Sequence, residues 1–305
     1  MDAIQKRLLE QVADIHEVPQ GAYSLRVNGS MYGKNNSENI TIEKKQDQPG
    51  IDIYIKPGTK NESLHIPVIL SQTGLKELVY NDFHIGDGAD VTIVAGCGIH
   101  NSGSGESEHS GIHSFFVGKN AKVKYIEKHY GEGDGNGKNV MNPTTVVVQD
   151  ENSYVEMETA QIKGVDSTKR KTTAKLAAGA TLVIREKIMT HGEQYAHTDF
   201  TVDLDGEGCG AHVVSRSVAK DNSRQVFVSN VRGNNRCSGH TECDAIIMDD
   251  AQVVALPQIE ANHVEAGLIH EAAIGKIAGE QLIKLMTLGL TEKEAEEQII
   301  NGFLK

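Results

Sequence analysis

Gly88-Ala89-Asp90-Val91-Thr92-Ile93 returns as Asn120-Ala121-Lys122-Val123-Lys124-Tyr125, and again as Asn152-Ser153-Tyr154-Val155-Glu156-Met157. Two further copies follow, Gly179-Ala180-Thr181-Leu182-Val183-Ile184 and Gly210-Ala211-His212-Val213-Val214-Ser215. Each joins a small turn residue to an alternating strand pattern. The successive spacings are 32, 32, 27 and 31 residues, with no helical pattern between them. A period of about 30 without helices predicts stacked β-coils, in which each unit buries its inner face only against its neighbours. Short strands with glycine turns also fit a β-sandwich, but the sustained period favours a solenoid.

Outward from this zone, short apolar or alternating segments extend from Tyr23–Val27 to Ala245–Met248. Both ends change character. Ile4, Leu8, Leu9, Val12 and Ile15 fall at helical spacing, and Pro19 with Gly21 stops the run, which predicts one helix to about residue 18. Ile277, Leu282, Ile283, Leu285 and Met286 form another helical set, closed by Gly289. Thr291 with Glu294 three residues on matches a capping box, and Ala295, Ile299, Ile300 and Phe303 supply the apolar face behind it. The expected division is an N-terminal helix over 1–20, a β-solenoid over 21–275 and a helical segment over 276–305. Gly96–Ser114 and Gly131–Asn142, rich in Gly, Ser, His and Asn, are expected to be surface loops, with His100, His109 and His113 in solvent near Cys97. GDGNG at 133–137 lacks the ordered carboxylates and terminal Glu of a calcium loop.

Composition narrows the function. In 305 residues there are 31 Gly, 6 Pro and no Trp, which suits many tight turns. A formal charge of −12 disfavours nucleic acid and anionic membrane as partners. No run approaches the roughly 18 apolar residues of a membrane span. The opening MDAIQKRLLEQVADI is too acidic for a signal or transit peptide. Four cysteines do not make a disulfide scaffold and suit buried thiols or metal and sulfur ligands in a reducing, cytoplasmic setting. The chain has no GxxxxGK[ST], GxSxG or HExxH motif. It is therefore not expected to be an enzyme of those classes, and any ATP-driven step would need a partner.

The densest group of chemical side chains is Cys237-Ser-Gly-His240-Thr-Glu-Cys243. Thiolates and an imidazole suit iron, zinc or copper(I). On a single strand, though, Cys237 and Cys243 would share one face and His240 the other. Cys243 also fits a small core position ahead of Ala245–Met248, and no second Cys/His pair completes a structural zinc site. A second group is His263, His270 and Glu271, ordinary surface residues unless a strand end or bulge brings them to one metal.

Residues 263–305, HVEAGLIHEAAIGKIAGEQLIKLMTLGLTEKEAEEQIINGFLK, resemble the SufB/SufD family of iron–sulfur cluster assembly scaffolds. The matching features are His-Glu-Ala, the Gly-Lys-Ile step, Glu-Gln-Leu, the Gly-Leu-Thr-Glu turn and the ending Ile-Ile-Asn-Gly-Phe, with Thr241-Glu-Cys243-Asp upstream. The likeness extends from about residue 80 onward. It implies a mainly β fold, a right-handed parallel β-helix with helical ends. It also implies docking of a SufC-type ABC ATPase by the C-terminal helices, and homodimer pairing through the end of the β-helix. A transient iron–sulfur cluster would then pass to recipient apoproteins. The implied ligands are Cys243, His270 and Glu271, with Cys237 and His240 as further metal candidates. Two departures stand out. The long N-terminal region of larger members and its cysteine motif are missing, which suggests a short, self-pairing form. Ala251 or Gln252 also stands where the SufB pattern has a sulfur-accepting Cys. Cys243 is then the first choice of sulfur-receiving thiol and Cys237 the second. Two other readings compete: a structural SufD-like partner without its own cluster site, and a β-helix enzyme acting on acidic polysaccharide, which the charge of −12 fits badly.

Overall fold

A computed structural model describes residues 1–15 and 19–304. Helix α1 (Ala3–Ala13) opens on a capping box between Asp2 and Gln5. It ends at Asp14, which is left-handed (φ 55°) and donates its N–H to the Glu10 carbonyl. The helix is thus shorter than its apolar spacing predicts, and residues 16–18 of the expected span lie outside the described residues. Leu8, Leu9 and Val12 bury against Leu25 and Ile69 of the solenoid.

Two antiparallel hairpins come next, β1 (Ala22–Val27) with β2 (Ser30–Asn35) and β3 (Ile40–Lys44) with β4 (Gly50–Ile55). The coils then run through β5 (Lys60–Leu70), β6 (Lys76–Ile85), β7 (Asp90–His100), β8 (Ser107–Val117), β9 (Lys122–Glu132), β10 (Asn139–Met141), β11 (Thr144–Gln149) and β12 (Tyr154–Lys163). They continue through β13 (Ser167–Leu176), β14 (Thr181–Thr190), β15 (Tyr195–Leu204), β16 (Gly210–Ala219), β17 (Arg224–Gly233), β18 (Cys237–Ile247), β19 (Gln252–Ala261) and β20 (Ala266–Gly275). From β5 on the strands alternate between two sheets and pair in parallel, with β10 and β11 sharing one turn of the same sheet. One has the order β2-β1-β5-β7-β9-β12-β14-β16-β18-β20; the other runs from β19 through β17, β15, β13, β10, β8, β6 and β4 to β3, with β11 also between β13 and β8. The chain is the mainly β solenoid that the period predicts. Helices α2 (Gly279–Thr287) and α3 (Glu292–Phe303) follow the last coil, and α3 starts on the Thr291–Glu294 capping box.

The sequence repeat is a coil corner. Gly88, Asn120, Asn152 and Gly179 are all left-handed, with φ between 56° and 66°. Glycine tolerates this conformation without strain, and Asn more readily than most residues. A small buried residue follows each one: Ala89, Ala121, Ser153 and Ala180. In the fifth copy the corner is Gly208 (φ 72°) followed by Cys209, so the register sits two residues ahead of the expected Gly210.

Both glycine-rich stretches differ from expectation. Gly96–His100 completes β7, Ser107–Ser114 lies in β8, and Asn139–Met141 pairs as β10. His109 and His113 point inward and are buried. Composition misleads here because small residues leave room for polar side chains inside the solenoid. Much of the interior is apolar, with Phe83 stacked on Phe115 at 4.4 Å. Along the same inward rows stand Glu127, Arg170 and Glu186, each at most 4% exposed. Arg170 donates to Glu127 (2.5 Å) and lies 3.4 Å from Glu186, which also accepts from Thr198 (3.1 Å) and Ser215 (2.9 Å). Burial works to raise the Glu127 carboxyl, yet Arg170, then His129 and His113, hold it well below the usual carboxylate range.

Removing one member of a buried ion set leaves uncompensated charge. Arg170→Met is expected to lower unfolding free energy by about 3–5 kcal/mol in a denaturant titration. A loss under about 1 kcal/mol, the range of surface pairs, would contradict the buried assignment.

Candidate functional site

β18 and β20 are adjacent and in register, with Thr241 opposite His270 and Glu242 opposite Glu271. Alternation along β18 turns Cys237, Thr241 and Cys243 into the solenoid and leaves His240 and Glu242 on the outer face. Cys237 and Cys243, six residues apart, are separated by roughly 20 Å of strand. Cys237, His240 and Cys243 therefore do not meet at one point. Among the described residues no three His, Cys, Asp or Glu side chains are grouped as they would be around a metal ion.

The candidates divide into two sets across the sheet. Inside, His270 Nδ1 lies 3.1 Å from Thr241 Oγ1, and Cys243 is one diagonal step along the same face. Cys243 is 1% exposed, and burial, with the Glu186 and Asp244 charges, pushes its thiol up to about 12. Its register neighbour is Ser215, which holds Glu186, so Cys243 adjoins the buried charge line. Outside, Glu271 Oε1 lies 3.6 Å from His240 Nε2. The His240 ring stacks on His212 at 5.0 Å with 5° between planes. A hydrogen bond that the protonated Glu242 donates to Asp244, then burial, raises the Glu242 carboxyl. His263 sits between the two last strands, where its Nδ1 accepts the Glu265 N–H (3.1 Å). Ala251 is buried just before β19.

Two neighbours escaped the sequence reading. Cys209 pairs with Cys237 across the coil corner, where Ser238 N donates to Cys209 O at 3.1 Å, and burial, then Cys237, pushes the Cys209 thiol up to about 11. His212 is in register with His240. Each lies one coil period upstream of a residue already singled out, and that period was the signal that could have found them.

β19 and β20 end their sheets, and each has an edge without a partner strand among the described residues. At the opposite end the two hairpins close both sheets with antiparallel strands. The inward-facing Ile259 (42% exposed) and Ile274 (39%) are left at the open end, with Leu256 and Ile269 exposed on outer faces. Beyond them, Ile300 of α3 and Leu304 just after it pack on Val218, with Phe303 partly buried in the same cluster. Of the apolar side chains expected to bury against a partner, Leu282, Leu285, Ile299 and Phe303 are half-buried and Met286 is exposed; Ile283 and Leu288, outside that set, are exposed as well.

A family model described as SUF system FeS cluster assembly, SufBD core domain, matches residues 77–303. An iron-sulfur cluster assembly SufBD family protein of Methanothermobacter thermautotrophicus is 28% identical over 269 residues, which cover 86% of this chain and 64% of that protein. The chain thus spans less than two thirds of that relative's length. Proteins with the same description from Archaeoglobus fulgidus and Methanocaldococcus jannaschii are each 28% identical. The match covers 89% of this chain and 72% of the former protein, and 88% of this chain and 85% of the latter.

A thiol reacts as its thiolate. In the metal-free folded chain, alkylation of Cys243 at pH 8 is expected to be at least roughly a thousandfold slower than in the unfolded chain, read by peptide mass spectrometry. A difference under about tenfold would show an open, reactive thiol.

Proposed function

The chain belongs to the SufBD family of iron–sulfur cluster assembly proteins, and we propose that it is the scaffold on which a cluster is assembled, at an interface between two copies. The observation that carries this reading is the open C-terminal end. A solenoid needs a terminal unit with a polar outer face, and an unpaired strand edge templates pairing with another chain. Here the last coil offers two such edges and inward-facing Ile259 and Ile274 instead. A second copy would cover them. Pairing would also double the donors near β20, where each chain supplies His270 inside and Glu271 outside.

Imidazole, carboxylate and thiol together suit iron, with the harder ligands holding a nascent cluster less firmly than thiolate and so permitting transfer to apoproteins. Cys243 is the thiol of choice, and metal binding must displace its proton against the shift imposed by burial. Cys237, on the inner face far along β18, and His240, on the outer face beside Glu271, would be secondary contributors. The scaffold is not itself an enzyme, and its work is cytoplasmic. No described helix is long and apolar enough to cross a membrane.

A structural role without a cluster site is the second reading. It is favoured by the depth of Cys243 and by Ala251, where the resembling pattern has a sulfur-accepting Cys. Cys243→Ser would then cost about 1–3 kcal/mol for a buried, poorly paired hydroxyl and change nothing else.

Anaerobic reconstitution with iron and sulfide, followed by sedimentation and by iron and sulfide analysis per folded chain, separates the readings. Wild type is expected to be a loaded dimer at micromolar concentration. His270→Ala, Glu271→Ala and Cys243→Ser should stay dimeric with less iron or sulfide. Ile259→Asp should give monomers that load poorly, and His191→Ala, in an exposed loop, should match wild type. A stable wild-type monomer, or equal loading in all variants, would count against the scaffold.

The exposed Ile283 and Met286 of α2, with Leu288 just after it, would bury against a SufC-type ABC ATPase in a helix-face contact. Ile283→Asp with Met286→Asp is expected to abolish co-purification with the ATPase while the solenoid's circular dichroism is kept. Undiminished co-purification would place the contact elsewhere.

A further inference from the structure

One inward column of the solenoid changes chemistry near its open end. Register stacks Ala121, Ser153, Ala180, Cys209, Cys237 and Ala266, one from each successive coil, at the same corner. The ladder is continuous across it, with Gly210 N donating to Ala180 O (2.9 Å) and Ser238 N to Cys209 O (3.1 Å). Ala121, Ser153 and Ala180 are at most 1% exposed, so this corner takes a small side chain and asks nothing else of it. Two consecutive coils nevertheless carry thiols there, Cys209 at 1% exposed and Cys237 at 8%.

Neighbouring strands in a sheet lie about 4.8 Å apart. Residues stacked in register at that spacing fall inside the Cα separation of roughly 4.4–6.8 Å that a disulfide spans. Both side chains belong to the same interior cluster, and after burial it is the Cys237 charge that pushes the Cys209 thiol up, so the sulfurs lie close together. Clearance exists beside Cys237: a Cβ on Gly233 would lie 3.1 Å from its Sγ, and Gly233 leaves that space open. Cys243, roughly 20 Å along β18, is out of reach of Cys237, and Cys97 lies on β7, several coils away. Of the four cysteines, only these two can bridge.

We propose that Cys209 and Cys237 are a redox modification site, a stacked dithiol that closes reversibly to an inter-coil disulfide by exchange with a low-molecular-weight disulfide. Cys237, the less buried of the two and one coil from the open end, attacks first. Its thiolate breaks the small disulfide, one small thiol leaves, and a mixed disulfide remains on Cys237. Cys209 then attacks the Cys237 sulfur, and the second small thiol leaves. The two protein thiols are oxidised, the small disulfide is reduced, and the two protons end on the small thiols. A dithiol reductant runs the exchange backwards. Closure staples the coil of β16 to that of β18 at the corner. It also takes Cys237 out of the donors open to iron, and that consequence alone rests on the scaffold reading.

Equilibration of the native, metal-free full chain with 2-hydroxyethyl disulfide tests this without iron or sulfide. The reaction is quenched in acid, remaining thiols are blocked in denaturant, and the digest is read by mass spectrometry. Wild type is expected to give a peptide joining Cys209 to Cys237, two hydrogens lighter than the dithiol form. It should exceed mixed disulfides at either position by about tenfold or more, because the second attack is intramolecular. Dithiothreitol should reverse it, and Cys97 and Cys243 should be recovered blocked. Cys209→Ala places at this corner the residue that Ala121 and Ala180 already supply, so it should keep the wild-type circular dichroism and leave Cys237 with the mixed disulfide alone. In urea, wild type should give a mixture of pairings. Mixed disulfides without the Cys209–Cys237 link, no reaction in the native chain, a dominant link to Cys97 or Cys243, or the same mixture with and without urea would each overturn the proposal.

Discussion

Everything in this molecule follows from parallel, in-register stacking of one coil on the next. Backbone groups of each strand are satisfied only by the coils on either side, and each inner face is buried only by its neighbours. Register then fixes which side chains meet. It sets Thr241 beside His270, His212 beside His240 and Cys209 at the corner beside Cys237. The same rule leaves the final coil unfinished, because stacking satisfies a coil on both sides only where another follows.

A second consequence concerns the interior. A stacked tube cannot turn an unwanted polar side chain outward without losing register along the strand. Polar groups that do face inward must therefore satisfy one another. Arg170 does so between Glu127 and Glu186, while His109 and His113 do so only in part. Incomplete satisfaction in a buried polar group calls for an explanation such as an ion or ordered water. The same alternation splits the β18 candidates between two faces. It directs Cys243 and His270 to the core and His240 and Glu271 to the surface.

The fold was legible because its period is written in turn chemistry. Left-handed corners need Gly or Asn, and these recur at Gly88, Asn120, Asn152 and Gly179. The helical ends were equally plain from spacing and from the Thr291–Glu294 box. What misled was composition. Gly96–Ser114 looks like solvated loop, yet most of it is strand, since small residues there make room for His109 and His113 inside. The inward charges could have been found by parity, because Glu127 and His129 share the face of Val123 and Tyr125. The seven-residue group from Cys237 to Cys243 was conspicuous in sequence for its density. Strand geometry, however, pulls its members apart, and the relevant neighbours come from one coil away. Nothing local in the sequence marks the open end, because openness depends on which strand is last.

The central claim is that the unfinished last coil is where two copies meet over a cluster. Amide hydrogen exchange before and after anaerobic reconstitution with iron and sulfide tests it most directly. The account predicts slowed exchange concentrated in Gln252–Gly275, the span of β19 and β20, with Thr144–Leu204 unchanged. Exchange that stays the same in Gln252–Gly275, or slows only elsewhere, would contradict it.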